Sequence, residues 1–220
     1  MKKDTKNDMT ELVFILDRSG SMNPLAADTI GGFNSMIEKQ KREAGRAFVT
    51  TVLFDTEMER IHDRLDLDKV PVLTNREYVP GGCTALLDAV GFTIKHIAKI
   101  HRYARPEDVP AKTVFVITTD GLENASRCFS RAKVKQMIEH EQEKYGWEFL
   151  FLGANIDAAE TASDIGIRRD RAANFYADSM GVELSFDSVS EAVSTARSGR
   201  MFSPSWKAKV EENYFSHCDD

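Results

Sequence analysis

The stretch Val13-Phe14-Ile15-Leu16-Asp17-Arg18-Ser19-Gly20-Ser21-Met22 limits the possible folds of this chain more than any other. Its apolar half does not alternate with polar residues, which marks a strand covered on both faces and therefore the middle of a parallel sheet. The run then stops at one carboxylate and two hydroxyls in alternate positions, around a glycine that lets the backbone turn sharply. Asn23-Pro24 follows as a helix start, because proline suits the first helical position. A buried strand that delivers oxygen ligands into a turn ahead of a helix describes a site for a hard cation.

Magnesium takes oxygen ligands in near-octahedral geometry at about 2.0–2.1 Å and usually keeps several waters. One loop cannot fill that shell, so other strand ends must contribute. Thr84 follows Pro80-Gly81-Gly82-Cys83 at the opening of a helix, and Asp120 closes the apolar run Val114-Phe115-Val116-Ile117 as Thr118-Thr119-Asp120-Gly121. Singly, each residue has a plainer use, since turn carboxylates and serines accept backbone hydrogen bonds and threonine caps helices. Together they ask for a metal. Asp-x-Ser-x-Ser, a distant Thr, and Asp-Gly after a hydrophobic strand resemble the metal-ion-dependent adhesion site of von Willebrand factor A domains, in that family's order, over roughly residues 9–198.

That resemblance implies a ligand set of Asp17, Ser19, Ser21, Thr84 and Asp120. The hydroxyls would approach the ion directly or through water and the aspartates would help neutralise it, leaving one position for a Glu or Asp carboxylate of a partner protein. Mg²⁺ is the expected ion, with Mn²⁺ or Ca²⁺ as alternatives. Asn124 in Asp120-Gly121-x-Glu123-Asn124 is expected to order its loop. Arg18, between ligands, is expected to be solvated. Pro80-Gly81-Gly82-Cys83-Thr84-Ala85-Leu86-Leu87-Asp88-Ala89-Val90 resembles stand-alone bacterial or phage members of the family.

The chain has 220 residues, enough for one domain with a full core. Its net charge of -6 argues against nonspecific nucleic-acid binding, which depends on neutralising phosphates, although it leaves room for a local basic patch. The polar start Met1-Lys2-Lys3-Asp4-Thr5-Lys6-Asn7-Asp8 and the lack of a run near 18 apolar residues predict a cytoplasmic protein with no signal peptide and no membrane span. Cys83, Cys128 and Cys218 are widely spaced and read as reduced thiols. Cys83 reads as a small packed thiol, since none of the five histidines pairs recognisably with it.

Strand and helix patterns alternate along the chain. After the first strand, Leu25 to Glu43 is an amphipathic helix, in which Gly31-Gly32 marks either close packing on the sheet or a tolerated weak spot. Phe48–Phe54 and Met58–Leu65 form an antiparallel hairpin at a sheet edge, because Asp55-Thr56-Glu57 is too short for a crossover. A helix opening at Thr84 and ending near Arg102-Tyr103-Ala104-Arg105-Pro106 precedes a central strand at Lys112–Thr119. Ser130 caps the next helix. Strands at Trp147–Gly153 and Asn174–Tyr176 and helices at Ala158–Ile165 and around Phe186–Ala196 follow.

This rhythm predicts an α/β fold with a doubly wound, mainly parallel six-stranded sheet, one antiparallel edge strand, and helices on both faces. The ligand crevice should lie at the carboxyl ends of the strands where their order reverses, flanked by Asp17 and Asp120. One domain is expected over residues 9–198. The tail, residues 199–220, carries Trp206, Val210 and Tyr214 on one helical face and reads as a short docked helix.

The leading function is a non-enzymatic, metal-dependent protein-binding module. A Mg-dependent phosphatase or phosphotransferase using Asp17 is the alternative, since an aspartate at a strand exit beside Mg²⁺ can attack phosphorus. That chemistry generally wants a second aspartate two positions on, where this chain has Ser19, and no phosphate-binding Gly-x-x-x-x-Gly-Lys-Ser/Thr loop occurs. A metal-free scaffold is the third reading.

Overall fold

The centre of the molecule is β1 (Thr10–Asp17), every residue of which is buried. In the computed structural model, which describes residues 8–200 and 202–217, β1 pairs in parallel with both β2 (Ala47–Phe54) and β4 (Lys112–Thr119). The readings of residues 1–7 and of Cys218 lie outside the described residues. β3 (Met58–Asp66) closes one edge antiparallel to β2, and β5 (Glu148–Ala154) and β6 (Ala172–Phe175) extend the other in parallel. The order β3-β2-β1-β4-β5-β6 is that of a doubly wound sheet, as the alternation of strand and helix patterns predicts.

Pleating sorts β1 into two cores. Leu12, Phe14 and Leu16 face α1 (Ala26–Lys41) and α5 (Ser179–Arg197) in one apolar cluster. Val13 and Ile15 face α2 (Leu86–Tyr103) and α3 (Arg131–Tyr145) in the other. A strand read from both sides in this way must be apolar at consecutive positions, which is why its sequence lacks alternation. α4 (Ala158–Asp164) completes the second layer. Beyond α5, Trp206 and Val210 sit in the first cluster, and the Trp206 indole donates to the Asp170 carbonyl at 2.9 Å, so α6 (Ala208–Ser216) lies against the domain.

Several boundaries differ from the sequence reading. Residues Gly20–Leu25 form a 3₁₀ turn with Pro24 inside it, and the α-helix begins only at Ala26. β6 starts at Ala172, two residues before the expected strand, and Tyr176 lies beyond its end, stacked on His217. Close packing of α1 does occur at Gly32, but its partner is a helix and not the sheet. A Cβ there would fall 2.3 Å from the Phe186 ring of α5, whereas Gly31 faces open space. Among the described residues, no helix is long and apolar enough to cross a membrane.

Candidate metal site

β1 and β4 run side by side, with Leu16 opposite Thr118, so Asp17 and Thr119 leave the sheet as neighbours. This is the point where the strand order reverses, since β1 leads to β2 on one side and has β4 on the other. Asp17 is fully buried. One of its oxygens, Oδ1, accepts from the Ser19 amide at 2.7 Å, and the other, Oδ2, accepts from the Thr119 hydroxyl at 2.5 Å. The Tyr78 hydroxyl donates to the Asp17 carbonyl.

The turn after β1 brings Ser19 Oγ to 3.2 Å from Ser21 Oγ, and Ser21 Oγ donates to Asp120 Oδ1 at 2.7 Å. Thr84 arrives from the third segment. A Cβ built on Gly121 would lie 3.3 Å from Thr84 Oγ1 and 3.8 Å from Ser21 Oγ, so both hydroxyls border the space beside Gly121. Ser21 and Asp120, 99 positions apart in the chain, thus become neighbours: the structure brings together Ser19, Ser21 and Asp120 by direct contact, Thr84 beside Ser21 across Gly121, and Asp17 behind them.

Thr84 is not the helix cap that its position suggests. α2 begins at Leu86 with Ala85 ahead of it and no side-chain cap of its own. Its first free amides are taken from across the cleft instead. Glu123 Oε2 accepts from Leu87 N at 2.8 Å and Ser126 Oγ from Asp88 N at 3.0 Å. Asn124 Oδ1 accepts from the Thr84 amide at 2.8 Å, and the Thr84 carbonyl accepts from the Asn124 and Ala125 amides. With these partners in place, the Thr84 hydroxyl is left out of helix capping.

Arg18 also departs from expectation. Its Nε and Nη1 meet Asp55 and Glu59, each at 2.9 Å, and Nη1 also donates to the Glu77 carbonyl at 3.1 Å. The reason lies in its backbone, whose amide donates to Phe54 O and sets the side chain against the β2–β3 hairpin. Its charge is therefore spent on that hairpin, away from the strand-end aspartates. The neighbouring loop is stitched to the same turn through Gly81 N to Arg18 O and Gly20 N to Gly82 O. Gly82 takes a left-handed φ of +68°, where a Cβ would meet Thr56 Oγ1 at 2.7 Å.

Cys83 is exposed, as is Cys128, so the reading of Cys83 as a packed thiol is incorrect. Its amide donates to Thr56 Oγ1, which pins the backbone and leaves the thiol outside.

The electrostatics favour a cation. Burial pushes Asp17 up to about 6, and the neighbouring charge of Asp120 adds to the shift against the hydrogen bonds of Thr119 and Ser19. Burial likewise raises Asp120, opposed by the Ser21 hydroxyl. Neither carboxylate has an ion pair among the described residues. Burial raises Tyr78 as well, with Asp17 and Asp120 contributing.

The donor set fits a small hard ion. Ligands on adjacent corners of an octahedron with bonds of 2.0–2.1 Å stand about 2.9 Å apart, and the oxygens of Ser19, Ser21 and Asp120 stand 3.2 and 2.7 Å apart. Among the described residues no three His, Cys, Asp or Glu side chains gather to hold a metal, so a site here would depend on hydroxyls. Sequence reasoning missed Thr119, which holds Asp17, and Glu123, which caps α2. Their signal was faint, because a threonine inside a strand and a glutamate in a polar loop have many uses.

No protein-family model matches the sequence, and no curated protein matches it. Solved structures do resemble the fold. A von Willebrand factor type A protein from Catenulispora acidiphila superposes with a TM-score of 0.57 at 14% identity, over 83% of this chain and 42% of that one. The vWF domain of the type V pili tip protein Mfa5 from Porphyromonas gingivalis gives 0.59 at 12% identity, over 88% and 97%. Manganese-loaded Plasmodium vivax TRAP protein gives 0.58 at 18% identity, over 80% and 71%. Proximal thread matrix protein 1 from the mussel byssus, solved with a zinc-occupied MIDAS motif, gives 0.57 at 13% identity, over 84% and 46%. The chain thus spans less than half the length of the mussel and Catenulispora proteins. With the same six-stranded, doubly wound sheet, it has the fold of von Willebrand A domains.

Proposed function

We propose that this chain is a metal-dependent protein-binding module, in which Asp17, Ser19, Ser21, Thr84 and Asp120 hold one divalent cation and a partner protein contributes a Glu or Asp carboxylate to it. The observation that carries this reading is the convergence of three chain segments on a small oxygen cluster whose two carboxylates have no ion-paired cation among the described residues. Mg²⁺ is the ion proposed, because the donors are all hard oxygens. Mn²⁺ and Ca²⁺ are the alternatives. The bound ion would supply a Lewis-acidic position for the incoming carboxylate.

The chain's own residues divide the remaining work. Thr119 and the Ser19 amide fix the orientation of Asp17. Asn124 and Glu123 hold Thr84 and the start of α2 against the β4–α3 loop. Solved neighbours with manganese or with a zinc-occupied MIDAS support the reading, as does the burial of Asp17 against its use as a nucleophile. An attacking carboxylate needs an accessible oxygen, and both Asp17 oxygens are engaged. A bacterial or phage setting belongs to this proposal through the sequence resemblance, and a cytoplasmic one through the polar start and the lack of a long apolar run.

Thermal melts test it. A cation at about 100 times its Kd should add about 2.7 kcal/mol to stability, or roughly 5–10 °C in Tm for a chain of this size. The rise should vanish in EDTA and in Asp120→Ala. Equal melts with and without Mg²⁺ or Mn²⁺ would favour the metal-free scaffold, and phosphoester turnover lost in Asp17→Asn would favour the phosphatase.

A further inference from the structure

A groove of about 510 Å³ runs between α2 and α3, lined in part by Ile94, Ala98 and Met137. Lys95, Lys99 and Arg102 of α2 and Lys133 of α3 also line it. The α2 cations recur at intervals of four and three residues, so they share one helical face and span about 10 Å along it. None of these four has a carboxylate ion pair among the described residues. Lys95 lies over the Phe129 ring at 4.5 Å, and Lys133 donates to the amide oxygen of Gln136 at 3.0 Å.

Two other cations of α3 are matched, by contrast. Arg131 meets Asp164 at 2.6 Å and Lys135 lies 4.0 Å from Glu139. The one carboxylate lining the groove is Glu141, which is buried. Burial raises its pKa, against the charges of His140, His101, Lys144 and Arg102. A cluster of unpaired cations on a chain of net charge -6 is a local reversal of sign.

We propose that this groove docks an acidic segment of a partner protein whose carboxylates meet Lys95, Lys99, Arg102 and Lys133 while its apolar side chains lie on the partly exposed Ala98 and Met137. Two features favour polypeptide over nucleic acid. The apolar floor offers a phosphate backbone nothing, and the overall negative charge opposes a long polyanion extending beyond the groove. The groove is separate from the oxygen cluster, because Lys99 lies thirteen residues beyond Leu86, about 20 Å along α2.

Fluorescence anisotropy on the full chain tests the proposal with a labelled 15-residue peptide carrying glutamates at i, i+4 and i+7 and leucines beside them. Binding should be equal in Mg²⁺ and in EDTA, which separates it from any failure or success of the metal site. It should fall at least about tenfold when the glutamates become glutamines, and again in a Lys99→Gln, Arg102→Gln double variant whose melt is unchanged. Lys69→Gln, outside the groove, should leave it as it was. Absence of binding, equal binding by the double variant, or tighter binding of a 15-nucleotide single strand would overturn the proposal. So would sedimentation showing self-association that this double variant removes, because the occupant would then be a second copy of the chain.

Discussion

Asp17 illustrates how one residue can set opposite responses to metal and to pH. In the metal-free protein its pKa is raised by burial from 3.8 to about 6, so the folded state binds its proton more tightly than the unfolded state. Stability should therefore fall as pH rises from about 4 to about 6 and level off above that. Asp17→Asn keeps the size and can preserve both hydrogen bonds while removing the charge. In EDTA at pH 7.5 this variant should be more stable than the parent by about 1–3 kcal/mol, and the gain should disappear near pH 4. Added Mg²⁺ should no longer stabilise it. Urea melts at the two pH values, with and without chelator, measure both effects, and a loss of stability in EDTA at pH 7.5 would mean that the buried charge is compensated by something else.

At the scale of elements, the two glycines of α1 are chemically alike and structurally unlike. Gly31→Ala meets nothing within 4 Å and should gain up to about 1 kcal/mol of helix propensity. Gly32→Ala puts a methyl into the Phe186 ring, and overpacking of that kind typically costs about 1–3 kcal/mol, part of it offset by the same propensity. Denaturant melts of the pair should move in opposite directions. The sequence could show a close approach here but not its partner, because Phe186 lies more than 150 positions away. The same limit explains the rest of what was legible. Unbroken apolar runs made β1 and β4 plain, and Asp55-Thr56-Glu57 made the hairpin plain. The caps of α2 were hidden, since Glu123 and Ser126 act from another loop. Arg18 was misread for a related reason, as its partners belong to β2–β3 and the 77–82 loop.

Taken whole, the molecule places its oxygen cluster at the reversal point of the sheet and its basic groove along the flank of α2. The sequence anticipated the sheet and its reversal point because burial dictates periodicity, whereas the groove depends on which charges fail to find partners after folding. One further feature joins the first turn of α2 to the loop beyond β4. Glu123 and Ser126 hold the amides of Leu87 and Asp88, and the Asp88 carboxylate in return holds the amides of Arg127, Cys128 and Phe129 at 2.8–3.2 Å. Loop and helix are clasped from both sides, so a shift of the loop that follows Asp120 should carry the first turn of α2 with it. Amide hydrogen exchange at Leu87 and Asp88 should slow together with that at Phe129 when Mg²⁺ is added, and independent rates at the three positions would show that the clasp slips.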